Sequence, residues 1–135
     1  MINETRFVPA IGRVLLSVIF LMSGLGKIAA PVATAGYIAS AGLPLPYVGL
    51  IAAILAEVGG GLLLLVGYQT RLAAVVLAVF SVAAALAFHN NLGDQNQMIH
   101  FLKNLAMAGG LLQVAAFGAG SFSLDARRSG SPARA

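Results

Sequence analysis

Glu57 sits in the middle of a long apolar run, and an acidic residue at that depth is the first place to look for chemistry. A charge at the centre of a bilayer costs about 2.5–3.5 kcal/mol on insertion scales, so such a residue faces the interior of a helix bundle and has a partner. Three basic residues are candidates. Steps of three, four and seven residues place Arg13, Ser17, Phe20, Gly24 and Lys27 on one helical face. The same spacing aligns Gln97, His100, Lys103, Asn104, Met107 and Leu111 on another helix, polar in its outer half and apolar below. His89 closes a third apolar run at about the same depth. We therefore expect an outward-facing polar pocket made of Lys27, Glu57, His89, His100, Lys103 and Asn104, with Arg13 as a deeper partner. One glutamate does not neutralise Arg13, Lys27 and Lys103, and an anionic or quinone-like ligand would take up the surplus. The competing reading is that these groups only neutralise one another and fix which helices touch.

Other chemistries find less support. The chain has no cysteine, so it brings no thiolate to a metal or an iron–sulfur cluster, and any redox role relies on something bound. His89 and His100 would be two imidazoles from adjacent helices, but both lie at helix ends beside a polar loop and the only further donor nearby is Asp94. No metal site is assigned and no residue is given a catalytic role. Ser23-Gly24-Leu25-Gly26-Lys27 lacks the hydroxyl residue that follows the lysine of a phosphate loop. Gly59, Gly60 and Gly61, with Ala53 and Ala56, instead make a face on which helices approach closely.

The elements that must position these residues are membrane helices. Of 135 residues 59% are hydrophobic and only 9% charged, against roughly a quarter charged in soluble domains; the mean hydropathy is +0.93. Apolar runs cover about Phe7–Ala30, Tyr47–Val66, Leu72–Phe88 and Met98–Phe117. The expectation is an all-α, four-helix transmembrane bundle. A cleaved signal peptide is the rival reading of the first run, but the run is too long for one and Arg13 and Lys27 interrupt it. Pro31 ends the first helix, and the stretch to the Gly42-Leu43-Pro44-Leu45-Pro46 break reads as a short interfacial helix between helices 1 and 2. Residues 1–125 are expected to form a single domain, and 126–135 a basic, disordered cytoplasmic tail. Of the eight lysines and arginines, Arg6, Arg13, Arg71, Arg127, Arg128 and Arg134 fall on the side of the termini, which places both termini in the cytoplasm. The net charge of +4 forms no continuous basic face, so nucleic acid is not an expected partner; the lipid bilayer is.

The pattern resembles the DoxX family of bacterial four-helix inner-membrane proteins over nearly the whole chain. The matching pieces are Arg13, Phe20, Gly24 and Lys27; Gly42-Leu43-Pro44; Glu57 with the following glycines and Gly67; Arg71; His89; and Lys103-Asn104 with Gly109-Gly110. Gly118-Ala119-Gly120-Ser121 and Ser123-Leu124-Asp125 complete it. The resemblance implies the bacterial inner membrane and suggests a link to membrane redox systems, since relatives include the small membrane subunit of a thiosulfate:quinone oxidoreductase. On that footing the chain would serve an oxidoreductase partner and hold a bound quinone or a small anionic or sulfur-containing compound, with no intrinsic cofactor and no catalysis by itself. Two other classes stay open: a small transporter or permeation subunit working as a homo-oligomer, and a structural membrane anchor.

Overall fold

The computed structural model describes residues 5–129, and the described residues are helical with no strand. Helix α1 (Val8–Ala29) begins with Pro9 in its first turn, where a missing N–H costs nothing. Its buried residues are Arg13, Ser17, Phe20 and Gly24, the face expected from helical spacing. Leu15, Val18 and Met22 point outward, as residues facing acyl chains must. Pro31 starts α2 (Pro31–Ser40), the short helix expected at the interface, and Gly42 ends the segment at a φ of 83°.

The second crossing runs from Pro46 to Val66 but is not uniform. It consists of α3 (Pro46–Ile54), a π-helical segment at Leu55–Gly59, and α4 (Gly60–Val66). The glycine run at 59–61 is weak helix former, so the backbone can widen there at low cost. Gly67 closes α4 with a φ of 72°, and the N–H groups of Gly67 and Tyr68 both donate to Leu63 O. A Cβ at position 67 would lie 2.5 Å from Ser123 Cβ, so conformation and space both require glycine.

Helix α5 (Thr70–Phe88) and α6 (Gln95–Phe117) pack along most of their lengths. Both start earlier than their apolar runs suggest, because caps extend them. Asp94 accepts from Asn96 N at 3.2 Å at the head of α6. Helices Val8–Ala29, Pro46–Val66 and Thr70–Phe88 are long and apolar enough to cross a membrane. Helix α6, 23 residues long, is more polar in its first turns and compatible with the fourth crossing. A core of Phe20, Leu64, Ala74, Leu77, Ala78, Ala108 and Leu111 joins α1, α4, α5 and α6. Small residues bring the backbones together: a Cβ on Gly60 would sit 2.9 Å from Leu77 Cγ.

The end of the chain departs from expectation in part. Residues 124–129 form helix α7, and Ala126 is buried, so the start of the segment expected to be a disordered tail packs against the bundle. The rest, 130–135, lies outside the described residues.

Candidate functional site

Glu57 occupies the π-helical segment and is 2% exposed. Lys27 Nζ lies 2.8 Å from Glu57 Oε1 and also donates to Ser23 Oγ at 2.8 Å, one helical turn back on α1. The pair forms because the two spans nearly touch: a Cβ on Gly24 would come within 2.6 Å of Val58 Cγ2 and 3.3 Å of Glu57 Cβ. The other carboxylate oxygen, Glu57 Oε2, is buried without a hydrogen-bond partner. A buried acceptor left unmet costs about 1–3 kcal/mol, more when charged. Wide turns of this kind are frequent at functional sites, where they re-aim one side chain.

Lys27 and Glu57 line a cavity of about 750 Å³, within the span usual for small-molecule sites. Phe20, Phe80, Ala84 and Phe88 contribute apolar wall, α2 contributes Thr34, Tyr37 and Ile38, and Ser23, His89 and Asn104 add polar groups. Tyr37 stacks on Phe88 with ring centroids 5.2 Å apart. Sequence reasoning missed Ser23, although its place four residues before Lys27 was a usable signal. It also missed Tyr37, which carries no signal, since only folding swings α2 over the cavity.

The expected pocket is brought together in part. Lys27, Glu57, His89 and Asn104 line the cavity; His100 and Lys103 are exposed and do not. His100 is nonetheless next to the site, stacked on His89 with centroids 5.1 Å apart. His89 lies just beyond the end of α5, and its Nδ1 is buried without a partner. Burial pushes its pKa below the ordinary histidine value, the neighbouring His100 pushes the same way, and a hydrogen bond with Gln97 opposes them. No group of three or more His, Cys, Asp or Glu side chains is placed to hold a metal among the described residues.

Arg13 is not a partner of Glu57. Its guanidinium, 2% exposed, donates to Leu64 O and Ala119 O at 2.9 Å, to Leu65 O at 3.1 Å and to Phe122 O. Leu64 and Leu65 end α4, where carbonyls lack helical partners and the helix dipole is negative, so a cation caps them well. Arg13 thus clasps the base of the bundle. The chain segment after α6 completes that clasp. Asp125 accepts from Gln69 N at 2.9 Å and Thr70 N at 3.0 Å, so α5 receives its N-cap from a carboxylate 55 residues away. Burial alone would raise the Asp125 carboxyl. The Thr70 side chain, the two N–H groups and Arg128 outweigh it and hold the pKa below the ordinary aspartate value.

The sequence profile of the family described as DoxX matches residues 8–90, a stretch that contains Arg13, Lys27, Glu57 and His89. The chain belongs to the DoxX family. It is similar to inner membrane protein YqjF of Escherichia coli, 37% identical over 118 residues that cover 85% of this chain and 87% of the relative. It is also similar to inner membrane protein YphA of the same organism, 34% identical over 122 residues, with 87% of each chain covered. No solved structure gives a significant match. Seen from its geometry, this DoxX chain divides the residues that carry the family resemblance into two groups. Phe20, Gly24, Lys27, Glu57, His89 and Asn104 surround or shape the cavity, whereas Arg13, Gly67, Ser123 and Asp125 build the basal clasp.

Proposed function

We propose that this DoxX family membrane protein binds a small lipophilic molecule in the cavity around Glu57 and presents it to a membrane oxidoreductase of the bacterial inner membrane, a quinone-type molecule being the leading candidate. The observation that carries the reading is a buried carboxylate, paired through one oxygen only, in the wall of a largely apolar cavity. A purely structural ion pair would gain from satisfying both oxygens, because a half-satisfied buried network is worse than an apolar core. Catalysis by this chain alone is not part of the proposal; it supplies binding, orientation and a dry setting.

Arg13, Arg71 and Arg128 all hold the basal end of the bundle, through Ala119 O, Ala116 O and the Tyr68 hydroxyl respectively, while Lys27 and the His89–His100 stack occupy the other. We infer that the base and both termini face the cytoplasm. A C-terminal alkaline phosphatase fusion should be inactive and a fluorescent-protein fusion bright; the reverse result refutes the orientation. The binding reading is tested by mass spectrometry of lipophilic and protein species retained after purification in mild detergent. Wild type should retain a discrete small molecule or an oxidoreductase subunit that Glu57→Gln loses. Recovery of bare protein in every preparation, or equal retention by both, counts against it.

A further inference from the structure

The charge balance of the cavity and its unmet hydrogen-bonding atom narrow the chemistry of the ligand. Lys27 and Glu57 cancel, Arg13 is committed to four carbonyl groups at the base, and Lys103 lies outside the lining. Among the described residues, the surplus of cations expected from the sequence is therefore not in the cavity wall. An anion entering it would approach a wall that holds a buried carboxylate and, among the described residues, no uncommitted cation, a like-charge approach made worse by the low dielectric. Glu57 Oε2 is an acceptor and, with Lys27 holding Oε1, accepts only. What fits it is an O–H or N–H.

Lys27 makes the opposite demand only weakly. Two of its three donors are used, on Ser23 Oγ and Glu57 Oε1, and its side chain is 23% exposed, so the third is open to its surroundings. The carboxylate is 2% exposed and its second oxygen is enclosed, so a donor from the cavity reaches Oε2 only when the Glu57 side chain turns toward the cavity it lines. The stronger unmet requirement is for a donor. Around it, Phe20, Tyr37, Phe80 and Phe88 set four aromatic rings in the wall, two of them stacked, and rings of this kind suit a flat apolar body.

Resting on the binding reading above, we propose that the occupant is a neutral, flat, apolar molecule that donates a hydroxyl hydrogen to Glu57 Oε2. A quinone-type molecule meets this description in its reduced, dihydroxy form and fails it in its oxidised form, whose oxygens only accept. On this proposal the site prefers the electron-rich member of such a couple.

Three probes of one shape separate the possibilities: 2-naphthol, which donates; 2-methoxynaphthalene, which only accepts; and 2-naphthoate, which is anionic. Binding to the full chain in lipid nanodiscs is measured by calorimetry, with a cavity-filling Ala84→Trp variant as the baseline for partition into lipid. The expected result is naphthol tighter than the ether by about tenfold or more, the worth of one charge-assisted hydrogen bond, with naphthoate weakest. In Glu57→Gln, whose amide both donates and accepts, the preference for naphthol over the ether should fall to about twofold or less. An ether that binds wild type as tightly as naphthol, or a naphthoate that binds tightest, overturns the hydroxyl donor while leaving the cavity reading in place. If no probe binds wild type above the Ala84→Trp baseline, both fall.

Discussion

Replacing Lys27 or Glu57 by methionine should have unequal effects, and the inequality follows from where each atom lies. Lys27→Met leaves the Glu57 carboxylate 2% exposed with neither oxygen paired, and stranding a buried charge costs roughly 3–5 kcal/mol. Glu57→Met strands Lys27 instead, but Lys27 keeps Ser23 Oγ and its side chain is 23% exposed. Hydration limits that loss to about 1–2 kcal/mol. The double variant removes both charges and fills the gap with apolar atoms, which for buried pairs is often neutral or stabilising. The expected order of stability is wild type and double variant together at the top, Glu57→Met below, Lys27→Met lowest. The coupling between the two sites should be about 4–7 kcal/mol. Reversible unfolding in mixed micelles, followed by far-ultraviolet circular dichroism as dodecyl sulfate is titrated, measures all four proteins on one scale. If Glu57→Met is as unstable as Lys27→Met, or the double variant as unstable as the worse single one, then the carboxylate is not the buried member of the pair and the reasoning about its free oxygen fails.

The basal clasp gives further outcomes. Arg13→Met should destabilise by about 2–4 kcal/mol, because four buried or half-buried carbonyls lose their donor while a buried charge is removed; naphthol affinity should stay within about twofold of wild type in the folded fraction, and a large loss would tie Arg13 to the cavity after all. Gly67→Ala combines a left-handed backbone with a Cβ 2.5 Å from Ser123 Cβ and should cost about 2 kcal/mol or more in the same titration. Asp125 has its folded pKa depressed, so its contribution is complete above the ordinary aspartate range and is lost as pH falls through the folded value. Asp125→Asn should remove about 0.5–2 kcal/mol at neutral pH and flatten the acid limb of the stability curve; an unchanged acid limb would show that the cap is not what titrates. His89 has its folded pKa lowered, so the unfolded chain takes up a proton first and stability declines as pH drops below the ordinary histidine value. His89→Gln should abolish that decline below the ordinary histidine value, which unfolding measured across the acid range reads directly.

Much of the architecture is written in the sequence because hydrophobicity must match the thickness of a bilayer, and prolines and glycines then mark where each span stops. The buried face of α1 was legible from 3.6-residue spacing alone, as was the pairing of Glu57 with a basic residue on that face. Which basic residue it would be was not. Arg13, Lys27 and Lys103 are equivalent at the level of charge, and the choice was made by two contacts that sequence spacing does not encode. One is the approach of spans one and two at Gly24; the other is the return of the chain after α6 beneath the base, which brings the Ala119 and Phe122 carbonyls to Arg13. The same return delivers Asp125 to the start of α5, a cap whose donor and acceptor lie on remote stretches. Lys103 adjoins Asn104 in the polar half of α6, yet Asn104 lines the cavity and Lys103 does not, since a one-residue step turns a side chain by about 100°.

That last figure also governs how this protein should be compared with its kin. The π-helical turn at Leu55–Gly59 holds one residue more than a regular turn would, so the halves of the second span are out of phase with each other. Removing a single residue there would shorten the span by only about 1.5 Å, which a bilayer absorbs, yet would rotate everything on one side of the deletion by about 100°. Gly60 would then no longer face Leu77, or Glu57 would no longer face Lys27. In aligned relatives, a one-residue gap between positions 55 and 59 is thus a statement about orientation rather than length: a glutamate written in the matching column would point somewhere else.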